Sequence, residues 1–298
     1  MTATVLYDTP GPKARVRNAG TGVIGVLLVL GLVGFVLYRF AATGQFDGRL
    51  WEWIEYSAIQ VLLLQSLLAT LEAFAVAAVL SLVFGAVFAA GRLSDHRWLS
   101  RPAALVVEFF RAVPLLVLIF ILYFGVSRGL GVNISTFWAL VLGLVLYNGS
   151  VLAEIFRAGV NALPKGQREA SYALGMRKTQ VMTNVLLPQS LRAMLPTIVS
   201  QLVVVLKDTA LGFLILYPEL LYQARFLGSQ GQLALPIIPV AMVVALIYIA
   251  MCLLLSAAAG YLERRTRRSR KRIDLDAAGA VAAAGLVIAP SSESGAAG

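Results

Sequence analysis

The chain is poor in charged residues, cysteine and histidine. Only 13% of its 298 residues are charged, whereas 59% are hydrophobic, and the mean hydropathy is +0.82. A soluble globular domain does not have this composition, so we expect a helical protein that crosses a membrane several times. The single cysteine, Cys252, excludes a disulfide within the chain. The single histidine, His96, has no cysteine or second histidine near it, so no metal site is expected.

Motifs for catalysis or nucleotide binding are missing as well. The sequence holds no phosphate-binding loop of the type G-x-x-x-x-G-K-S/T, no G-x-S-x-G and no H-E-x-x-H. We therefore expect that this chain is not an enzyme and binds no cofactor or metal itself. If ATP drives its function, ATP and Mg²⁺ must be bound by a partner subunit.

The sequence does contain a series of long apolar segments. Each is at least about 20 residues long, which is the length that crosses a bilayer as a helix. The first is too long for a signal peptide and ends in no small-residue cleavage site, so we interpret it as a retained span that follows a separate segment, 1–22. The six predicted spans are 23–42, 59–90, 102–126, 135–155, 191–217 and 235–262.

Positive charge is distributed unequally between the two sides of these spans. With the N-terminus inside the cell, nineteen of the 25 Lys and Arg residues lie on the cytoplasmic side, and only Arg39, Arg49, Arg128 and Arg225 lie outside. Cytoplasmic loops carry this excess in membrane proteins, so we predict that both termini are cytoplasmic. Topology and contact with lipid headgroups therefore explain the net charge of +10, and no nucleic-acid partner is expected. The tail, 263–298, is basic and then rich in Ala and Gly, and we expect it to be disordered.

One polar stretch, 161–188, lies between two apolar segments and is too polar to lie in lipid. We predict a helix–turn–helix there, on the cytoplasmic surface of the membrane. The first helix, Gln167–Leu174, would end at Gly175 in a left-handed conformation. The second helix, Lys178–Leu187, would be stopped by Pro188. By itself this pattern is also typical of an amphipathic connector between two spans.

Further polar residues lie inside the predicted spans, where ionisable side chains are costly and are therefore candidates for function. Pro114 would interrupt the hydrogen bonds of its helix and leave backbone groups available to a ligand. As an alternative, Lys207 would form a structural ion pair with Asp208 or Glu154, and Arg111 would extend to the membrane surface. The candidates in the spans are Arg111, Pro114, Asn148, Glu154, Lys207, Asp208 and Thr209.

The polar stretch resembles the EAA loop of bacterial ABC importer permeases. The family pattern is E-A-A, three variable residues, G, nine variable residues and I-x-L-P. Here it begins at Glu169, has Gly175 at the glycine and ends at Pro188, while Ser171 and Val185 replace the family's second Ala and its Ile. In that family the loop is a coupling helix that docks into a groove on a separate ATPase.

Three further segments resemble permeases for polar amino acids, which are the histidine, arginine, glutamine and glutamate importers. The segment 109–116, FFRAVPLL, resembles F-F-R-G-T-P-L-L. The segment 153–171, AEIFRAGVNALPKGQREAS, resembles A-E-I-F-R-G-G-I-x-x-I-P-K-G-Q-x-E-A-A. The segment 207–211, KDTAL, resembles K-N/D-T-S-L. The N-terminal VLYDTPGP is similar to glutamate-importer permeases and serves here to rank substrates.

The resemblance implies an all-α polytopic membrane protein with a cytoplasmic coupling helix. Its core, 59–262, would have five transmembrane helices, here preceded by one extra N-terminal helix, 23–42, and the coupling loop would be 161–188. It also implies the bacterial cytoplasmic membrane as location, and as partners two ATPases, a second permease subunit and an extracytoplasmic solute-binding protein. The extra span favours a different but related chain as the second permease. The residues assigned to ATPase coupling are Lys165, Gly166, Arg168, Glu169, Ala170, Gly175, Arg177 and Lys178.

The function implied is uptake of a polar amino acid, glutamate in the first place, by alternating access. The residues in the spans would line the substrate pathway, where Arg111 and Lys207 would face a substrate carboxylate. Glutamine, arginine and histidine are the alternative substrates. A secondary transporter would show two inverted repeats, and the halves of this chain show no such similarity. A channel would not need a polar docking loop.

Overall fold

The regular structure of this protein is helical. The computed structural model describes residues 11–233 and 235–261, and no β-strand occurs in these two ranges. Five helical segments there are long and apolar enough to cross a membrane, and the number is six when one bent pair of helices is counted as a single broken span. The predicted all-α polytopic architecture is therefore confirmed, with five to six spans in the described residues. In chain order the helices are α1 (Pro12–Ala42), α2 (Ser57–Arg92), α3 (Arg97–Ala112), α4 (Leu115–Phe120), α5 (Val126–Leu130), α6 (Thr136–Asn161), α7 (Lys165–Ala173), α8 (Lys178–Gln180), α9 (Leu187–Asp208), α10 (Leu220–Gly228) and α11 (Ile237–Tyr261).

Successive spans run in opposite directions, so the connecting loops collect at two ends of the bundle. One end carries residues 92–101 and 157–192, which include many Lys and Arg residues, and we call it the basic end. The opposite end carries residues 43–56, 131–135 and 216–233. The predicted tail, 263–298, lies outside the described residues.

The first span, α1, is longer than the apolar run that predicted it. It begins at Pro12, well before Val23, because Pro12 occupies a first-turn position where its missing N–H costs no hydrogen bond. The polar residues from Lys13 onward continue the helix. None of the residues of α1 is buried, so its whole apolar surface is available to lipid.

The third span is broken rather than continuous. Helices α3 and α4 are bent by 98° at Val113 and Pro114. The ring of a proline disfavours helical geometry in the residue before it, and Val113 is accordingly extended, with ψ of 129°. The interruption of the helix that the sequence predicted at Pro114 is therefore present in the backbone. A π-helical turn, Ile121–Gly125, then joins α4 to α5.

The sequence-based prediction that Pro188 stops a helix is wrong. The segment from Lys178 to Ile215 is one long apolar span, and Pro188 lies inside it. A π-helical turn, Val181–Leu186, comes directly before α9, and the Leu187 N–H donates to the Met182 carbonyl, five residues back. We attribute the tolerance of Pro188 to this widened turn, which moves the hydrogen-bond register just where the proline N–H is missing.

The core of the bundle is formed by α2 packed along α6. The buried face of α2 is made mostly of small residues, including Ala73, Ala77 and Gly85. A Cβ atom placed on Gly85 would lie 2.8 Å from the Leu152 Cβ and 3.2 Å from the Gly149 carbonyl oxygen. The two helices therefore touch almost backbone to backbone, as small residues permit in membrane helices.

This contact predicts that Gly85→Ala destabilises the protein. In an exposed helix the same change would be favourable, because Ala has a higher helix propensity than Gly. At Gly85 the added methyl group meets Leu152 and the α6 backbone, and overpacking of this kind costs about 1–3 kcal/mol. The melting temperature of the detergent-purified protein should fall. Gly25→Ala in α1 is the matched control, since nothing lies within 4 Å of its added Cβ. Equal melting temperatures for the two variants would contradict this packing.

Candidate functional site

The coupling loop, residues 161–188, begins with the short helix α7. Pro164 stands directly before this helix, which runs from Lys165 to Ala173. The helix ends at Gly175, whose φ of 76° is in the left-handed region that favours glycine. The Gly175 N–H donates to the Tyr172 carbonyl, and the Met176 N–H donates to the Ser171 carbonyl. The helix and its glycine terminator are thus formed as the sequence predicts.

A set of apolar side chains fixes the underside of the coupling loop to the bundle. Val160 at the end of α6 is buried together with Val181 and Leu186 of the π-helical turn. Leu93, which follows α2, packs against the same group. The side chain of Ser171 is also turned inward, where its hydroxyl donates to the Gln167 carbonyl at 2.7 Å. The loop therefore rests on the ends of α2 and α6 and is not a free connector.

The other face of the coupling loop is open and carries most of the residues assigned to ATPase coupling. The side chains of Lys165, Arg168 and Arg177 form no ion pair with any other described residue. All three cations are therefore available to an ion-pair partner outside the described chain. The exposed members of the predicted set are Lys165, Gly166, Arg168, Glu169, Ala170, Gly175 and Arg177.

Two apolar residues also stand out from this face, and the sequence-based assignment missed them. Leu174 is 82% exposed and Tyr172 is 45% exposed. They flank the end of α7, beside the free cations. Single exposed apolar residues are common on protein surfaces, so it is their position on the same face as the unpaired cations that makes these two candidates for a contact with another protein. The sequence shows only an apolar residue next to the helix-ending Gly175. Apolar residues at this position are as common where the end of a helix is packed against the protein, so the sequence alone does not distinguish an exposed residue from a packed one.

Lys178 differs from the other cations because it turns back toward the bundle. Its Nζ lies 2.5 Å from the Asp95 carboxylate and 3.2 Å from the Leu93 carbonyl oxygen. Both partners belong to the turn between α2 and α3. The hydrogen bond from Lys178, together with its positive charge, holds the pKa of Asp95 below its usual value, so this carboxylate is charged at neutral pH.

Directly beside this turn lies a group of four charged residues that we call the Arg92 cluster. Arg92, the last residue of α2, places its Nη1 3.1 Å from Glu154 of α6 and its Nη2 3.3 Å from Glu108 of α3. Arg157, the fourth member, contacts Glu154 through two nitrogens at 2.5 and 3.0 Å. Glu154, which the sequence placed in a substrate pathway with Lys207 as an alternative partner, is therefore paired with arginines at the basic end.

A second polar group lies deeper, between α6 and α9. The amide of Asn148 is fully buried, and its Nδ2 donates to Asp208 at 3.3 Å. Its Oδ1 accepts from Gln201 at 2.7 Å. The structure thus places Asn148 beside Asp208. The neutral side-chain amide of Asn148 bridges the carboxylate of Asp208 and the amide of Gln201. The free oxygen of Asp208 has no partner in the described chain.

The remaining candidates in the spans occupy separate positions. Arg111 and Lys207 are exposed on the surface of the chain and form no ion pair with another described residue. Pro114 is exposed at the bend of the third span. Thr209, in contrast, is fully buried, and its hydroxyl donates to the Leu206 carbonyl at 2.6 Å. Its side chain therefore supports the end of α9 and is closed to a ligand in this conformation.

The opposite end holds a buried carboxylate where the sequence predicts only a polar loop. Glu219 is fully buried and accepts hydrogen bonds from the backbone N–H groups of Leu221 and Tyr222, at 2.7 and 2.6 Å. It also accepts from the hydroxyl of Tyr248 in α11 at 2.7 Å. Thr70 of α2 accepts from the next backbone N–H, that of Leu220. Glu219 therefore caps α10 and joins it to α11, which explains its burial by structure alone.

Comparison with known proteins supports the family that the motifs predicted. Residues 81–268 match the family described as the inner membrane component of binding-protein-dependent transport systems. The glutamate transport system permease protein GluD of Corynebacterium glutamicum is 39% identical over 235 residues, which are 78% of this chain and 85% of that protein. The chain belongs to this family of inner membrane permease components.

Two further comparisons, one with a related sequence and one with a solved structure, indicate which kind of permease within the family this chain resembles. The probable glutamine ABC transporter permease protein GlnP of Bacillus subtilis is 35% identical over 66% of this chain and 90% of its own length. A crystal structure of an amino acid ABC transporter with histidines has a chain that is 29% identical, with a TM-score of 0.65 and coverage of 72% of this chain and 98% of that chain. This protein therefore groups with the permease subunits of amino-acid ABC importers.

The left-handed glycine of the coupling loop predicts a local effect of Gly175→Ala. A side chain at φ of 76° is strained by about 1–2 kcal/mol, although nothing else lies within 4 Å of the added Cβ. The turn should then open more often, and trypsin should cleave the loop at its exposed lysines and arginines about five times faster or more.

Gly166→Ala is the matched control for this measurement. Gly166 lies in α7, and space for a Cβ is open there as well, so the change should leave cleavage unchanged or slow it slightly. The two variants differ only in the backbone conformation at the mutated site. Equal cleavage rates would mean that the left-handed conformation does not restrain the loop.

Proposed function

We propose that this amino-acid permease subunit carries glutamate into the cell, in a complex driven by a separate ATPase. The observation that supports the substrate best is the 39% identity with a glutamate transport system permease over 78% of the chain. The resemblance of the N-terminal residues VLYDTPGP to glutamate-importer permeases points the same way. The absence of a nucleotide-binding motif from the sequence requires that ATP and Mg²⁺ are bound by the partner.

The proposed orientation places the basic end in the cytoplasm and both termini with it. This assignment follows the excess of Lys and Arg on one side of the spans. It brings the coupling loop to the side of the membrane where ATP is found. The opposite end, with Trp53 and α10, then faces a solute-binding protein outside the cytoplasmic membrane.

The coupling loop supplies the chemistry that docking on an ATPase needs. Its free cations, Lys165, Arg168 and Arg177, complement an acidic surface and steer its approach. Leu174 is the apolar anchor, because it is exposed in this chain and would be desolvated in a groove of the partner. Glu169 is exposed beside them and would accept hydrogen bonds from the partner.

The polar groups in the spans match the charges of an amino acid. The exposed cations Arg111 and Lys207 would balance the carboxylates of glutamate on its way through the membrane. Asp208 would receive the ammonium group through the oxygen that Asn148 leaves free. Adjacent positive and negative groups at 207–208 suit a zwitterion better than an inorganic ion or a sugar.

Transport would follow alternating access, since one chain offers only half of a closed pathway. A second permease, proposed as a different but related chain, would face the exposed cations across the pathway. Binding of ATP to the ATPases would close them, and the coupling loops would pass this movement to the spans. A ligand shifts such an equilibrium only by binding the two states with different affinity, so substrate and ATP must each discriminate between the two states.

Glutamine is the second candidate substrate, because a probable glutamine permease is 35% identical over 66% of the chain. Glutamine differs from glutamate by the side-chain carboxylate alone. A cation that pairs with this carboxylate would therefore separate the two substrates. Lys207 and Arg111 are the cations available for this role in the described spans.

We predict that Lys207→Ala raises the KM for labelled glutamate and affects glutamine much less. Loss of one charge-assisted contact worth about 1.5–3 kcal/mol corresponds to a change of about 10- to 100-fold. Uptake is measured in cells that lack the gene and are complemented with each variant at equal expression. Lys13→Ala is the control, because Lys13 lies at the exposed start of α1.

These uptake measurements test both which amino acid is transported and whether the side chain of Lys207 contacts it. Uptake of glutamate by the wild type, lost on deletion, is expected. If deletion leaves glutamate uptake intact and removes glutamine uptake, the substrate proposed here is wrong. If Lys207→Ala changes neither KM, the side chain does not contact the substrate.

A second prediction concerns docking: Leu174→Asp should detach the ATPase. A buried charge in the groove would replace an apolar anchor, and anchors of this kind contribute about 2 kcal/mol or more, which is at least about thirtyfold in affinity. The measurement is the amount of ATPase that purifies with the permease. Leu174→Met should retain it, and Leu130→Asp is the matched exposed leucine near the opposite end, 74% exposed. Retention of the ATPase by Leu174→Asp would exclude this anchor.

A further inference from the structure

Lys178 is the one cation of the described coupling loop that forms an ion pair within the chain. The side chains of Lys165, Arg168 and Arg177 are free for a partner, whereas Lys178 binds Asp95 and the Leu93 carbonyl oxygen. Asp95 is separated from Lys178 by more than eighty positions in the sequence. The contact therefore joins two loops of the basic end that are otherwise connected only through the spans and the apolar group beneath the coupling loop.

The turn that holds Asp95 is a direct extension of α2. The Leu93 N–H donates to the Ala89 carbonyl at 3.0 Å, and the Ser94 N–H donates to the Gly91 carbonyl at 3.1 Å. The hydroxyl of Ser94 then accepts from the His96 backbone N–H at 3.2 Å, directly before α3 begins. A displacement of Asp95 is therefore transmitted to the ends of two helices and is not absorbed by a slack loop.

The Arg92 cluster continues this connection into α6. Arg92 precedes Leu93 and touches both Glu108 and Glu154, so that α2, α3 and α6 share one group of charges at their ends. Arg92 has only 10% of its side chain exposed, which makes it a poor candidate for a contact with an outside partner. Arg157 holds Glu154 from the other side.

We propose that Lys178 and Asp95 are positioning residues that carry the movement of the coupling loop to α2 and α3, and through the Arg92 cluster to α6. This inference rests on the proposed ATP-driven function and assigns a route within the chain. When the ATPase displaces the coupling loop, Lys178 pulls the turn between α2 and α3. The Arg92 cluster then makes the ends of α2, α3 and α6 move as one body.

The apolar group under the loop does not replace this ion pair. The coupling loop is held against the bundle by the buried side chains of Val160, Val181 and Leu186. Apolar contacts are not directional, so they do not fix the position of one particular atom relative to another. An ion pair with a hydrogen bond fixes a distance and an angle between two particular atoms. Asp95 is 78% exposed and Lys178 is 41% exposed, so water screens their pair and it contributes little to folding. Asp95→Asn should therefore leave the protein folded.

The test uses the complete transporter, with ATPase and solute-binding protein, in proteoliposomes. The quantity measured is the number of substrate molecules taken up per ATP hydrolysed. Asp95→Asn should lower this ratio by about two- to fivefold, which is the lower part of the range of about two- to thirtyfold for one residue on a coupling route, while the amount of bound ATPase stays the same. Glu55→Gln is the matched control, because it is an exposed acid at the opposite end with no ion pair in the described chain.

A charge exchange separates this role from a merely structural one. Asp95→Lys and Lys178→Asp should each lower the ratio, and the double variant should recover most of it, since the pair is restored with reversed sign. Uptake and hydrolysis are both measured for each of the three. An unchanged ratio in Asp95→Asn overturns the proposal. Loss of bound ATPase in Asp95→Asn also overturns it, because Asp95 would then be a docking residue.

The proposed function fails in a different way from this inference. If the wild-type complex couples ATP hydrolysis to uptake of no amino acid, the function is wrong and the variants need no interpretation. If the wild-type complex couples normally and the double variant is as impaired as the singles, the function stands and the route through Lys178 and Asp95 is wrong.

Discussion

The close contact between α2 and α6 determines where the ends of these two helices, and the loops that follow them, lie. Gly85 of α2 sits against the Gly149 carbonyl oxygen and Leu152 of α6, so the two helices have no freedom to separate or to slide by one residue. Because their axes are fixed, their ends at the basic end are fixed too. Arg92 thereby reaches Glu154, and the coupling loop that follows α6 comes to rest beside the turn that follows α2.

Several polar side chains inside the bundle are paired with each other, which a low-dielectric surrounding favours, although Ser81 and Gln223 each keep one buried polar atom without a partner in the described chain. An unpaired amide or carboxylate in hydrocarbon costs several kcal/mol, roughly, and this cost selects arrangements in which each group has a donor or acceptor. Asn148 satisfies Asp208 and Gln201 at once, and the N-terminus of α10 satisfies Glu219. The cations at the basic end that remain unpaired within the described chain mark a different kind of surface.

The sequence predicts the parts of this structure that depend on local chemistry. Apolar length alone predicts the six spans, and Pro114 predicts the break in the third because proline constrains its predecessor whatever surrounds it. Gly175 likewise predicts its own left-handed conformation. Pro188 does not follow this rule, because a π-helical turn before it changes the hydrogen-bond register, and no residue type announces such a turn. The start of α1 at Pro12 shows that a span extends past its apolar run.

Contacts that join distant segments cannot be predicted from the sequence either, because they depend on how the helices pack and not on the local residue types. The sequence offers Lys207 only as an alternative ion-pair partner of Glu154, and the register of α2 on α6 brings Arg92 to Glu154 instead. Leu174 is the opposite case, an apolar residue with nothing in the chain to cover it. Leu174 is 82% exposed and lies beside cations that form no ion pair in the described chain, whereas the other exposed apolar side chains lie mostly along the membrane spans. This leucine is therefore the residue on which the docking proposed for the coupling loop depends most directly.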